Sequence, residues 1–261
     1  MRKLNLAALL LSSLFVSSTA LAQLDPALSF NTASIDYSLL SRPLTLKGGM
    51  LEVDARLQHV EIGPFDATGL VAGIGFGVTD SVELGISTGF LINPDFEWND
   101  TLAMRAAISI LASDGVDIAP SVYVPLNLGD GDTLPLVGIG VDTRIKMTNS
   151  LALFVGHNAL TLGTGDDHAD LNLNIGLGIQ ANDSIAFRLD TQIASIDLGD
   201  SNDETLIFGE EIGPDARFIP FGANVLLNVA DSVDVFAGLS FPDLTNPGDV
   251  FFITGGALLR M

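Results

Sequence analysis

From Gly49 to the end of the chain, apolar side chains recur at every second residue, a period that only a β-strand presents as a continuous face. Leu70, Ala72, Ile74, Phe76 and Val78 alternate with Gly69, Val71, Gly73, Gly75 and Gly77. Val82, Leu84, Ile86, Thr88 and Phe90 alternate with Glu83, Gly85, Ser87 and Gly89. Leu171, Leu173, Ile175, Leu177 and Ile179 do the same against Asn172, Asn174, Gly176, Gly178 and Gln180. One face is Leu, Ile, Val and Phe. The other is Gly, Ser and Asn with an occasional charge.

The reversals between these strands share a sequence. "VTDSVEL" begins at Val78 and "VADSVDV" at Val229, with "KMTNSLAL" and "QANDSIAF" between them. Asp80, Asp114-Gly115, Asn149, Asp183 and Asp231 thus each separate two strands, and Asn, Asp and Gly tolerate the positive φ of tight hairpin turns. The first four lie about 34 residues apart, a spacing that also suits helical solenoids, but these units lack any 3.6-residue period. Longer connections alternate with the tight ones: "NPDFEWND", "GDGDT", "GTGDDHAD", "GDSNDETLIFGEEIGPD" and "PDLTNPGD". The pattern predicts twelve strands, at roughly 50–62, 67–78, 82–92, 100–112, 116–128, 133–147, 151–163, 169–180, 185–197, 216–229, 233–241 and 249–261. Ten or fourteen also fit, depending on the region before Gly49.

An even number of antiparallel strands brings both ends of the chain to the side of the tight turns. That layout, with short turns on one side and long loops on the other, is the one expected of an antiparallel transmembrane β-barrel of a Gram-negative outer membrane. A secreted β-sandwich is the soluble competitor, but its solvated faces would carry Lys, Glu and Thr rather than Gly, Ser and Asn. Composition agrees with the barrel. The chain is strongly acidic, with a formal net charge of -21, and yet hydrophobic, with a mean hydropathy of +0.44. Both hold at once if charge and apolar surface are segregated.

The first residues, "MRKLNLAALLLSSLFVSSTALAQ", have a basic start, a short apolar run and the small-x-small end Ala20-Leu21-Ala22. That is the layout of a secretory signal peptide over 1–22, too short for a helix spanning a bilayer. Residues 23–48 form an N-terminal lead-in without a clean period: a periplasmic segment, an extra strand or a short plug. Residues 49–261 form the barrel. Without Arg2 and Lys3 the formal charge becomes -23, so nucleic acid is excluded as a partner. The chain has no cysteine, hence no disulfide framework or thiolate metal site.

The strand pattern over essentially the whole mature chain resembles the small Gram-negative outer-membrane β-barrels. The segment "SRPLTLKGGMLEVDARL" (Ser41 to Leu57) is similar to the extended approach to the first strand in porin-like and transporter-type barrels. The resemblance implies an outer-membrane location, with outer-membrane lipids and small polar solutes or ions as partners. The final strand, "VFFITGGALLRM", departs from the class by ending in Arg260-Met261 instead of an aromatic residue. Aromatic girdles are expected to be thin, with one Trp and two Tyr in the chain, and to come in part from Phe76, Phe90, Phe187, Phe221 and Phe241.

The charges within strands fall on the face opposite the apolar one: Arg56, Arg105, Arg144, Lys146 and Arg188 against Glu52, Asp54, Glu83, Asp117, Asp142, Asp190 and Asp234. A charge facing lipid at mid-bilayer costs about 2–4 kcal/mol, so an inward orientation is expected. Arg105, Asp117, Asp142, Arg144, Lys146, Arg188 and Asp190 are the candidates for a lumen constriction. Asp142 with Arg144, and Arg188 with Asp190, suggest i, i+2 pairs. Such a set either tunes selectivity or satisfies itself and fills a narrow lumen, and the inward glycines suit both.

"DSNDETLIFGEE" places Asp200, Asn202, Glu204 and Glu211 near calcium-loop spacing, but Thr205 occupies the position that needs Gly. Of His59, His157 and His168, none accompanies a nucleophile motif such as Gly-x-Ser-x-Gly. No cofactor is expected. The function expected is a passive porin-like channel for small polar solutes or ions. The alternative is a closed structural or surface-interaction barrel with Gly199 to Asp215 as its contact loop. An outer-membrane enzyme stands third.

Overall fold

A computed structural model describes residues 40, 42–62, 65–93, 96–128, 137–157, 159–162, 169–198, 205–207, 211–213, 216–217, 219–241, 243–244 and 250–261. The expected signal peptide and most of the lead-in lie outside these residues.

The described chain closes into a twelve-stranded antiparallel barrel. Its strands are β1 (Leu51–Ile62), β2 (Phe65–Thr79), β3 (Val82–Asn93), β4 (Glu97–Ile108), β5 (Val116–Asn127) and β6 (Val137–Thr148). Next come β7 in two pieces (Leu151–Val155 and Leu160–Leu162), β8 (Ala169–Asn182) and β9 (Ile185–Asp197). The last three are β10 (Phe221–Ala230), β11 (Val233–Phe241) and β12 (Val250–Arg260). Each strand pairs with its sequence neighbour, and β12 returns to β1 with Glu52 opposite Arg260. Among the described residues each of these twelve strands is paired on both sides, so the barrel wall presents no open edge to a bilayer.

Three expected strands differ from the sequence pattern: the one expected at 216–229 enters the barrel only at Phe221, with Ala216–Arg217 paired elsewhere. β7 breaks after Val155 because Gly156 takes φ +83 and its carbonyl accepts from the Val141 N–H. The fourth strand ends at Ile108, and only Leu111–Ala112 resumes pairing before the turn.

Burial is inverted relative to a soluble domain. Along β6, Ile139, Val141, Ile145 and Met147 are exposed, whereas Gly138, Gly140, Asp142 and Arg144 are buried. The apolar face is therefore the outer surface, and the polar face lines the interior. Aromatic side chains collect at both rims of that outer surface. Phe76 and Phe187 lie near the tight turns. At the other end Phe90 stacks on Phe96 at 5.9 Å, and the Trp98 Nε1–H donates to Thr88 Oγ1 at 2.7 Å. Phe221 sits opposite Phe241 at that same end.

Candidate functional site

Every strand that leaves a tight turn, β1 included, places its second residue in the lumen. In chain order these are Glu52, Glu83, Asp117, Ala152, Ala186 and Asp234, and all six are buried. The turn motif explains the regularity. After Asp-Ser the chain enters a strand, the first side chain points outward, and the pleat sends the next one inward. A collar of four carboxylates and two methyl groups thus rings the turn-side end.

The carboxylates have partners. Asp117 accepts from Arg144 Nε at 2.8 Å and from Nη2, with Lys146 Nζ at 3.9 Å. Glu83 binds Arg105. Glu52 accepts from Arg260 Nε at 2.8 Å, and Arg260 also reaches Asp234. Arg260 therefore faces the lumen, a role its place in the last strand did not reveal.

Farther along the strands, Arg188 Nε donates to Asp190 Oδ1 at 2.7 Å, and its guanidinium lies 4.3 Å from the Phe154 ring centroid. Arg56 pairs with Asp54 at 2.9 Å. Because both partners of that pair are partly exposed, Arg56→Ala is expected to cost less than about 1 kcal/mol in urea unfolding.

Asp142 and Arg144 do not pair with each other. Asp117 stands directly across the β5–β6 ladder from Arg144, closer than a residue two places along the same strand. Asp142 is instead bound by His157 Nδ1 at 2.7 Å and Ser121 Oγ at 3.0 Å, with Arg105 at 4.0 Å. The acid thus sits between the hydroxyl and the imidazole. A serine nucleophile needs the imidazole in the middle, so this trio is not arranged for acyl transfer.

His59 bonds Thr68 Oγ1 through Nδ1 at 2.9 Å. His168, Asp200, Asn202 and Glu204 lie outside the described residues, and Glu211 begins a short strand, Glu211–Gly213, paired with Ala216–Arg217. Among the described residues no three His, Asp or Glu side chains group as metal ligands would.

The lumen also holds a stretch of main chain. Residues 40 and 42–48 run across the turn-side end inside the barrel, with Leu40, Arg42, Leu44, Thr45 and Leu46 all buried. Glycines on β2 and β8 make room for this strap. A Cβ on Gly77 would collide with the Lys47 carbonyl, one on Gly75 would lie 3.0 Å from Leu46 Cδ1, and one on Gly178 would lie 2.7 Å from Leu40 Cδ2. Other inward glycines receive side chains: Gly73 takes Asp54, and Gly176 takes Asp190. The glycine face is therefore filled around the strap and the ion pairs, not left open there. With Arg42 and Arg260, the inward basic residues named here number seven, against the seven acids above and Asp170, which the pleat of β8 places on the face of Asn172.

A closed twelve-stranded barrel with a polar, ion-paired interior and an apolar exterior has the architecture of an outer-membrane β-barrel. No family model matches the sequence, and no curated protein matches it significantly. Among solved structures, the NanC porin matches with a TM-score of 0.57 at 9% identity, over 80% of this chain and 100% of that one. The KdgM porin matches at 0.54 and 7% identity, over 79% and 98%. The COG4313 outer membrane channel from Pseudomonas putida F1 matches at 0.53 and 12% identity, over 88% and 100%. At such identities the likeness is one of fold.

Proposed function

We propose that the protein is an outer-membrane channel through which small polar solutes or ions diffuse. One observation carries this reading. Arg56, Arg105 and Lys146 point inward, yet they keep 22, 25 and 20% of their side-chain surface exposed. Inward side chains retain accessible surface only where the lumen holds space. Their carboxylate neighbours keep less: Asp54 15%, Glu83 7% and Asp117 6%. In each of these three pairs the base, not the acid, is the partner a solute would meet first. Arg105 and Lys146 would face the passage, while Asp117, Asp142, Arg144, Arg188 and Asp190 brace the wall behind them. Acidic connections at the far mouth would concentrate cations at low salt, an effect that screening removes.

Planar-bilayer recording tests the reading directly. Folded protein should give discrete conductance steps, and folded protein that gives none would sink the channel assignment. Charged side chains lining a pore set its ion preference. At about 1 M salt, where charges beyond ~3 Å are screened, Arg105→Ala with Lys146→Ala should move the reversal potential toward cation preference. An unchanged potential would remove these two residues from the passage. The buried strap favours a second reading, a closed structural barrel, and the same recordings separate the two.

A further inference from the structure

We propose that the strap, described at residues 40 and 42–48, is a releasable plug that closes the turn-side mouth, and that the collar is its seat. This rests on the channel reading and adds what opens and shuts the channel.

The strap matches the collar residue by residue. Arg42 is bound by Asp234, with Nη2 3.3 Å from Oδ1 and Nη1 on Oδ2. Leu40 joins one buried apolar cluster with Ala152, Phe154, Ala186, Leu226, Phe236 and Leu258. The two collar positions that carry Ala instead of an acid, Ala152 and Ala186, belong to this patch. The acidic and apolar parts of the ring therefore receive the Arg and the Leu of one short segment. The Leu46 N–H donates to Glu83 Oε2 at 2.8 Å, on a third part of the collar.

The way the strap is held makes it separable from the wall. The Leu40 N–H donates to Gln180 Oε1 at 3.1 Å, and the Gly48 N–H donates to Asp80 Oδ1 at 3.1 Å. With Leu46 on Glu83, these main-chain donors go to side chains and not to rungs of the ladder. A strand could leave the sheet only by breaking a row of main-chain bonds, whereas the strap can leave with every barrel rung intact. Its fit is also incomplete, since Arg42 Nε is buried without a hydrogen-bond partner. The pivot is a turn from Lys47 to Met50, closed by Met50 N–H on the Lys47 carbonyl at 3.0 Å, with Gly49 at φ +83. Only glycine takes that conformation freely.

The absence of native cysteine permits a clean test on the full-length chain. In Leu40→Cys/Gly178→Cys, a disulfide would hold the strap on its seat, and reduction would free it. Current through the oxidised protein should fall at least ~tenfold below that of the reduced protein, the ratio expected when a two-state equilibrium is locked to one side. Gly77→Ala displaces the strap at Lys47 without changing a charge or the disulfide chemistry, and should raise open time over the unmodified chain. Equal current from the oxidised and reduced pair, with the crosslink verified by mass, would overturn the plug and leave the channel standing. A variant lacking 40–47 that folds as a barrel and carries no current would overturn the channel, and the plug with it.

Discussion

Asp117→Ala is expected to lower the unfolding free energy by about 3–5 kcal/mol, the cost of stranding a buried charge. Arg144 is 1% exposed, and the hydrogen bonds recorded for its guanidinium all end on Asp117. Its Nη1 already has no partner. Without the carboxylate, a full positive charge remains in the wall, facing neither water nor an acid. Urea titration of the barrel in lipid vesicles, read by the fluorescence of the single tryptophan, Trp98, measures the effect. The double replacement Asp117→Leu/Arg144→Leu should recover most of the loss, because burying two apolar side chains removes both desolvation penalties at once. A loss below about 1 kcal/mol for Asp117→Ala would mean that water reaches the pair, as at an exposed ion pair.

The second large effect belongs to the outer face. Ile86, in the middle of β3, is exposed on the apolar side of the sheet. Ile86→Arg should cost about 2–4 kcal/mol in the same titration, whereas Val78→Arg, beside a tight turn, should cost about 0–1. The contrast is more informative than either value. Both residues are apolar and exposed, so a soluble protein would treat the two substitutions alike. A bilayer does not, since an Arg near the rim reaches the headgroups and one at mid-depth cannot. Equal costs at the two sites would contradict a membrane around the barrel.

The strands were legible in the sequence because alternation and turn chemistry are local. A pleat needs only residues i and i+2, and Asp80-Ser81 or Asp231-Ser232 needs only its neighbours. What escaped was whatever depends on register or on partners remote in the chain. Arg188 with Asp190 can be read along one strand. Arg144 with Asp117 requires knowing which rung of β6 faces which rung of β5. Arg42 with Asp234 joins residues 192 apart. The strap lacks a period for a physical reason: it crosses a floor that is acidic in one sector and apolar in another, so its side chains answer to local partners rather than to a repeating face.

The repeated turn motif consequently has two functions. In "VTDSVEL" and "VADSVDV" the Asp-Ser reverses the chain, and the acid two residues on, Glu83 or Asp234, becomes part of the collar. A motif that reads as topology alone also supplies the fully buried Asp234 and the buried Glu83. The corresponding "NSLAL" and "DSIAF" keep the turn and replace the acid with Ala152 and Ala186.

The glycine pivot before β1 has a further consequence. A stopper that is part of its own vessel does not depend on how many copies are present. Tethered through Gly48-Gly49, the strap meets its seat at an effective concentration on the order of millimolar. Dilution cannot unseat it, and a free peptide of the same sequence would compete only when supplied at about that level. Its state is a property of each single molecule.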